Sequence, residues 1–396
     1  MKTIIGNNYY LFLLVLIFCS CVEPYEIKNE TFDDFLVVEA LLTDEIKYQE
    51  VNLSRTYGLE EVVANAEENA TVIISDSEGV IYDFDEIEPG KYTSRVEFSA
   101  KPDVEYRLSI MTNSGRKYGS RPVKLVSEDV VDFKLYAKGR INDVEGLDGV
   151  EIYYEGLEVS NENSSYYRYD YVETYKIVAP YWFDETIDFT PGAYPFPGKE
   201  NDDGRVCFDT NKSNEIILKN TSELQVNLIE PFVIKFNKQI NPKIQHRYSL
   251  LVTQHVISRE AYVYNEILKD FSESGSIFSE NQPGVITGNL FSEDNPDETV
   301  IGYFEISKTL SKRVYFNYTD FFEDNAFKSR PYFVDLCKIF PVTWNSSFEQ
   351  PLSLQEMIES GFYIFYYEPV LQVVSPVGCG DCSFFASIVV PDFWEE

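Results

Sequence analysis

The chain has 396 residues, of which 33 are Lys or Arg and 66 are Asp or Glu, giving a formal charge of −33 at pH 7. A surface this acidic repels phosphate backbones and anionic bilayers, which sets nucleic acid aside as a partner. With 44% hydrophobic residues and 29 each of Tyr and Phe, the composition excludes a disordered chain and favours strands.

The first predicted element is an export signal. Lys2 is followed by an apolar run from Tyr9 to Phe18, then by Cys19, Ser20 and Cys21. About ten residues cannot cross a bilayer core that needs roughly 20 in a helix, so residues 1–20 read as a secretory signal peptide. Ser20 is the small residue before a cysteine at which bacterial lipoproteins are cleaved, whereas Cys19 follows the bulky Phe18. Cys21 is therefore the expected lipidated residue, the alternative being an ordinary signal peptide that contains cysteines. Loss of residues 1–20 removes one lysine and no acid, so the mature charge becomes −34. Residues 21–34 form a short acidic tether, and Pro24 bars a helix from starting ahead of it. No later segment approaches 18 apolar residues, so the expectation is a folded body held by lipid, and Glu23 and Glu26 so close to the lipid are compatible with surface export.

Residues 35–126 read as an immunoglobulin-like β-sandwich. Leu36 to Leu42, Glu50 to Arg55, Thr71 to Ser75, Val80 to Phe84, Lys91 to Val96, Tyr106 to Thr112 and Lys117 to Ser120 are predicted strands. About seven strands in roughly 90 residues, with turn signals between them, is the sandwich pattern. Asp76-Ser77-Glu78-Gly79 and Asn113-Ser114-Gly115 are hairpin turns with a glycine where positive φ is easiest.

Residues 127–396 read as a larger β-rich domain with two short helices and no βαβ rhythm, so the whole is all-β. The strand at Tyr166 to Ile177 puts Tyr167, Tyr169, Tyr171, Glu173 and Tyr175 on one face. That face is either a stacking platform or the inside of the domain, and strand aromatics favour the inside. Further strands are predicted at Glu215 to Leu218, Phe232 to Phe236, Tyr248 to Ile257, Gly302 to Ile306, Arg313 to Tyr318 and Phe362 to Tyr367. Ser258 can cap a helix from Arg259 to about Ser272 that buries Tyr264, Ile267, Leu268 and Phe271. Ser353 and Glu356 have capping-box spacing for a second helix that Gly361 can end.

Catalytic chemistry has little to stand on. The two histidines, His246 and His255, lie nine apart on or beside one predicted strand and would face opposite sides, which disfavours a metal pair. Nucleophile-elbow, phosphate-loop and histidine–glutamate metalloprotease patterns are missing, and with 66 acids no carboxylate pair stands out as a glycosidase site. Asp294, Asp297 and Glu298, or Asp202 and Asp203, are candidates for calcium, but neither matches an established loop, and solvated turns are the reading. No enzyme activity, cofactor or metal is expected.

Cys207, Cys337, Cys379 and Cys382 remain, an even number in an exported protein, and read as two disulfides. A four-thiolate zinc site would want two close pairs, and only Cys379 and Cys382 form one. Three pairings are possible. The expectation is Cys379 with Cys382 across a tight turn, leaving Cys207 with Cys337.

Val38-Glu39-Ala40-Leu41-Leu42-Thr43-Asp44, Val51 to Thr56, Pro89-Gly90-Lys91-Tyr92, Glu173-Thr174-Tyr175, Tyr248 to Tyr262, Gly275-Ser276-Ile277-Phe278, Gln282-Pro283, Gly288-Asn289, Ile301-Gly302-Tyr303-Phe304, Cys379-Gly380-Asp381-Cys382 and Pro391-Asp392-Phe393-Trp394 follow one another in this order. In them the chain resembles the Bacteroidota outer-membrane lipoproteins that carry a large domain of unknown function. Members of that family are commonly encoded beside TonB-dependent receptors. The resemblance implies a binding or lid-like partner of such a transporter in nutrient uptake, and supplies no ligand. Ser383, Phe384, Phe385, Ala386 and Ser387 stand where the family usually has an arginine and glycine-rich residues. The alternatives are a structural or adhesive envelope lipoprotein and, last, an exported hydrolase.

Overall fold

The computed structural model describes residues 34–56, 65–128, 130–142, 146–157, 166–191, 197–222, 229–274, 288–323, 337–341, 354–367 and 371–396. The expected signal peptide, Cys21 and nearly all of the expected tether lie outside them, as does Ser353. Among the described residues no helix is long and apolar enough to cross a membrane.

The first unit comprises β1 (Leu36–Thr43), β2 (Glu50–Arg55), β3 (Asn65–Ala66), β4 (Thr71–Asp76), β5 (Ile81–Glu88), β6 (Lys91–Ser94), β7 (Glu105–Met111), β8 (Lys117–Ser120) and β9 (Val123–Lys124). Alternate residues point inward, as in β7, where Tyr106, Leu108 and Ile110 are buried between exposed neighbours. The order β1-β2-β6-β5 follows strands A-B-E-D of an immunoglobulin-type sandwich and β4-β7-β8 follows C-F-G, but here β5 also pairs with β4, so the two sets run on as one continuous sheet. Gly79 and Gly115 both adopt positive φ in the hairpin turns, at 87° and 86°.

The second unit holds β10 (Phe133–Asn142), β11 (Gly146–Gly156), β12 (Tyr166–Val178), β13 (Val206–Lys212), β14 (Ile217–Asn220), β15 (Phe232–Lys238), β16 (Arg247–Ile257), α1 (Arg259–Ser274), β17 (Leu290–Ser292) and β18 (Val300–Asn317). A three-stranded sheet, β10-β11-β15, shares one core with the sheet β13-β12-β16-β18. Tyr167, Tyr169, Tyr171 and Tyr175 all lie in that core, so the tyrosine face is the inside of the domain. Glu173 is buried on the same face, where the Lys243 ammonium pairs with it and the Tyr248 hydroxyl donates to it at 2.8 Å. A small third sheet, of β19 (Lys338–Pro341), β20 (Ile364–Tyr367) and β21 (Leu371–Ser375), lies beside α2 (Leu354–Glu359), which gives way to Gly361 at φ 71°.

The units are not separated at residue 126. β18 joins what had read as two strands, Gly302 to Ile306 and Arg313 to Tyr318, into one of 18 residues. Its first half pairs in parallel with β1 and its second half antiparallel with β16. β17 adds to the other side of the sandwich, on β8. The first core consequently includes Leu290, Val300, Phe304 and Ile306. Close approach at this junction needs glycine: a Cβ on Gly302, whose φ is 133°, would lie 2.0 Å from the Val38 carbonyl oxygen, and one on Gly288 would lie 1.9 Å from that of Gly302.

All four remaining cysteines are oxidised, but neither expected pairing forms. Cys207 of β13 is bonded to Cys382, with Cα atoms 5.9 Å apart, and Cys337 to Cys379, at 6.0 Å. Cys379 and Cys382 belong to successive 3-10 turns, Val377–Cys379 and Cys382–Phe384, anchored to different partners. The Cys382 N–H donates to the Gly204 carbonyl at 2.8 Å, while the Cys379 carbonyl accepts from the Tyr181 N–H at 2.9 Å. The C-terminal segment is thereby clamped to the edge of the second core.

Candidate functional site

A cleft of about 580 Å³ opens between the two units, within the range typical of small-ligand sites, which often occur at domain junctions. One wall is the start of α1, with Ser258, Arg259, Glu260, Val263, Tyr264 and Ile267. The facing wall is the segment Arg121-Pro122-Val123-Lys124, and Gly288, Asn289 and Tyr303 complete the lining.

Local structure holds each part in place. The Ser258 hydroxyl oxygen accepts from the Ala261 N–H at 3.1 Å, the N-cap expected from the sequence, and this fixes the first turn that carries Arg259. The Arg121 N–H donates to the Asn289 carbonyl at 2.8 Å, continuing the pairing of β8 with β17. Tyr264 and Tyr303 lie ring against ring, their centroids 5.3 Å apart and their planes inclined at 36°. Burial raises both phenols above their ordinary pKa, so each ring is a neutral, largely apolar surface. Val263 and Ile267 remain exposed on the helix. The expected burial of Ile267 is thus not realised: Ala261 and Tyr264 carry the buried stripe, and Ile267 lines the cleft.

The charge of the lining runs against that of the chain. Arg121, Lys124 and Arg259 face a single acid, Glu260, in a protein with twice as many acids as bases. Lys124 pairs with Glu105 at 3.4 Å. Arg121 and Arg259 have no ion-pair partner among the described residues.

Below α1 lies a buried polar network. The Arg168 guanidinium donates to both carboxylate oxygens of Asp170, at 2.6 and 2.7 Å, and to Glu305 at 2.9 Å. His255 approaches Asp170 through Nε2 at 3.1 Å and the Ser307 hydroxyl through Nδ1 at 3.0 Å. Asn265 of α1 donates to Glu305 at 3.3 Å. Partial burial pushes the Asp170 carboxyl up, but Arg168 and His255 outweigh it and hold it well below the usual carboxylate range. Burial lowers the Arg168 pKa, and Glu305 with Asp170 more than restores it, so the guanidinium sits above its ordinary value. Asp170, His255 and Ser307 have the connectivity of a catalytic triad. Ser307, however, has no exposed surface, so its hydroxyl meets no substrate in this conformation. The arrangement ties α1 to three strands and so fixes one wall of the cleft.

The other residues singled out in the sequence do not converge on the cleft. The Asp294 carboxylate accepts from the Lys117 N–H at 2.8 Å, and Glu298 accepts from the Tyr118 hydroxyl at 2.6 Å and the Ser292 hydroxyl at 3.0 Å. These acids serve the edge of the sandwich. Asp202 pairs with Arg205 at 3.4 Å. Among the described residues no group of three or more His, Cys, Asp or Glu side chains could hold a metal ion. His246 lies in the bend before β16 and His255 within it. The cleft itself had no motif to announce it, because its residues come from four separate segments. The signal available was the pairing of Arg121 with Lys124, and of Arg259 with a capping serine, in a strongly acidic chain.

Comparison with known proteins gives one family. A model described as Domain of unknown function (DUF4249) matches residues 22–313, a span that includes the first unit, α1 and every residue of the cleft. No curated protein matches the chain.

Proposed function

The chain belongs to the DUF4249 family, a domain of unknown function, and on that premise we propose that it is an outer-membrane lipoprotein, held by lipid on Cys21 at the cell surface, that binds a nutrient and serves a TonB-dependent transporter as an accessory partner. The observation that carries this reading is the cleft between the units, which is of small-ligand size and framed by the helix and by strands of both units. The Bacteroidota lipoprotein resemblance supports the transporter as the partner.

The test is to tag the chain at its C-terminus, solubilise the outer membrane in mild detergent, and ask whether a TonB-dependent transporter encoded nearby co-purifies. Recovery of the transporter in comparable amount supports the reading. A surface protein that comes alone, from membranes where that transporter is abundant, would overturn it and favour the structural or adhesive role.

A further inference from the structure

We infer that the cleft takes a small organic anion, a carboxylate or a phosphate ester, whose apolar or aromatic body lies along α1. This rests on the reading of the cleft as a ligand site but not on the transporter.

Three observations converge. Arg121 and Arg259 have no carboxylate partner among the described residues, in a chain where acids outnumber bases two to one. An arginine fork left free matches the two oxygens of a carboxylate or phosphate. Both arginines also stand on pinned backbone, Arg259 behind the Ser258 cap and Arg121 through its bond to Asn289, so the backbone carrying them needs no reordering when a ligand arrives. The apolar and aromatic part of the lining is Val263 and Ile267 on the helix, with the Tyr264 and Tyr303 pair beside them, and Glu260 is the one acid against Arg121, Lys124 and Arg259. A charged head with a greasy or ringed body meets both halves of this surface, whereas a neutral sugar would leave the arginines unanswered and a cation would be repelled. The acidic exterior adds selectivity, since the cleft is a place where an anion is drawn in on a surface that otherwise turns it away.

The test is isothermal titration calorimetry of the full mature chain with three probes that share one ring system: 2-naphthoate, 2-naphthyl phosphate and the neutral 2-naphthamide. The inference expects one-to-one binding of at least one anion, with the amide weaker by about tenfold. Arg121→Ala and Arg259→Ala should each weaken the anion about fivefold while leaving the amide unchanged. Ile267→Asp should weaken both, through the lost apolar contact. Both arginines are exposed, and an unchanged Tm would show that the variants fold. Whichever of carboxylate and phosphate binds more tightly identifies the head group, and either result supports the inference. Equal affinity for anion and amide, an anion affinity untouched in the double arginine variant, or no saturable heat from any probe would overturn it. Because no transporter is present in the titration, a failure here with a co-purifying transporter would strike the ligand class alone.

Discussion

Asn289 uses both ends of its side-chain amide on the backbone of Phe304. Its Nδ2 donates to the Phe304 carbonyl and its Oδ1 accepts from the Phe304 N–H, each at 2.8 Å. One side chain thus stands in for strand pairing where β17 meets β18, and both residues are buried. Asn289→Ala would leave a buried N–H and a buried carbonyl without partners, at a cost of about 2 to 4 kcal/mol. Urea unfolding should show the loss as a lower midpoint with an unchanged slope. A loss under about 0.5 kcal/mol would mean that water replaces the amide without penalty.

The disulfides should differ in weight. Cys207–Cys382 spans 175 residues and Cys337–Cys379 spans 42. The chain-entropy model assigns about 5 kcal/mol to the longer loop and about 4 kcal/mol to the shorter. Cys207→Ser and Cys382→Ser should therefore lower Tm by the same amount, because they remove one bond, and by somewhat more than Cys337→Ser. Peptide mapping without reduction should recover the fragment of Cys207 linked to that of Cys382. Linkage of Cys379 to Cys382 would overturn the pairing.

The sandwich was legible because its signals are local. β2 and β8 have the predicted bounds, since alternation and turn glycines depend only on neighbours in the chain. The tyrosine strand was legible for the same reason. What escaped was the pairing of β1 with β18, which joins Leu36 to Val300 across most of the chain and leaves no periodic trace. β18 itself looked broken because Lys308 to Lys312 is largely polar. That stretch is where the strand leaves the first core and enters the second, and its residues are only partly buried. Sequence nearness misled the cysteine pairing in the opposite way: two cysteines three apart are held by different neighbours. The cleft was invisible because it exists only where β18 brings the units together.

The proposed lipid anchor yields to a direct measurement. Cys21→Ala should abolish fatty-acid labelling and release or mislocalise the protein, while Cys19→Ala should leave labelling intact. Labelling that survives the Cys21 substitution would remove the anchor and the localisation that depends on it.

Asp170 should give the protein a distinct acid sensitivity. Its carboxyl is held below the usual range by Arg168 and His255, so the unfolded chain binds its proton more readily than the folded one. Stability from this group is fully present above the unfolded value of about 3.9 and is lost as pH falls through that value toward the folded one. The side chain is 40% exposed, so water screens the interaction and the effect is moderate. Many other carboxylates titrate over the same window, which makes the comparison with Asp170→Asn the informative one. The variant lacks the charge at every pH and should unfold at lower urea than the parent at pH 7. That gap should stay constant down to about pH 5 and narrow steadily below about pH 4, as the parent loses what the variant never had. A gap that keeps its size at pH 3 would show that the Asp170 charge does not stabilise the fold, and that Arg168 is held by Glu305 alone.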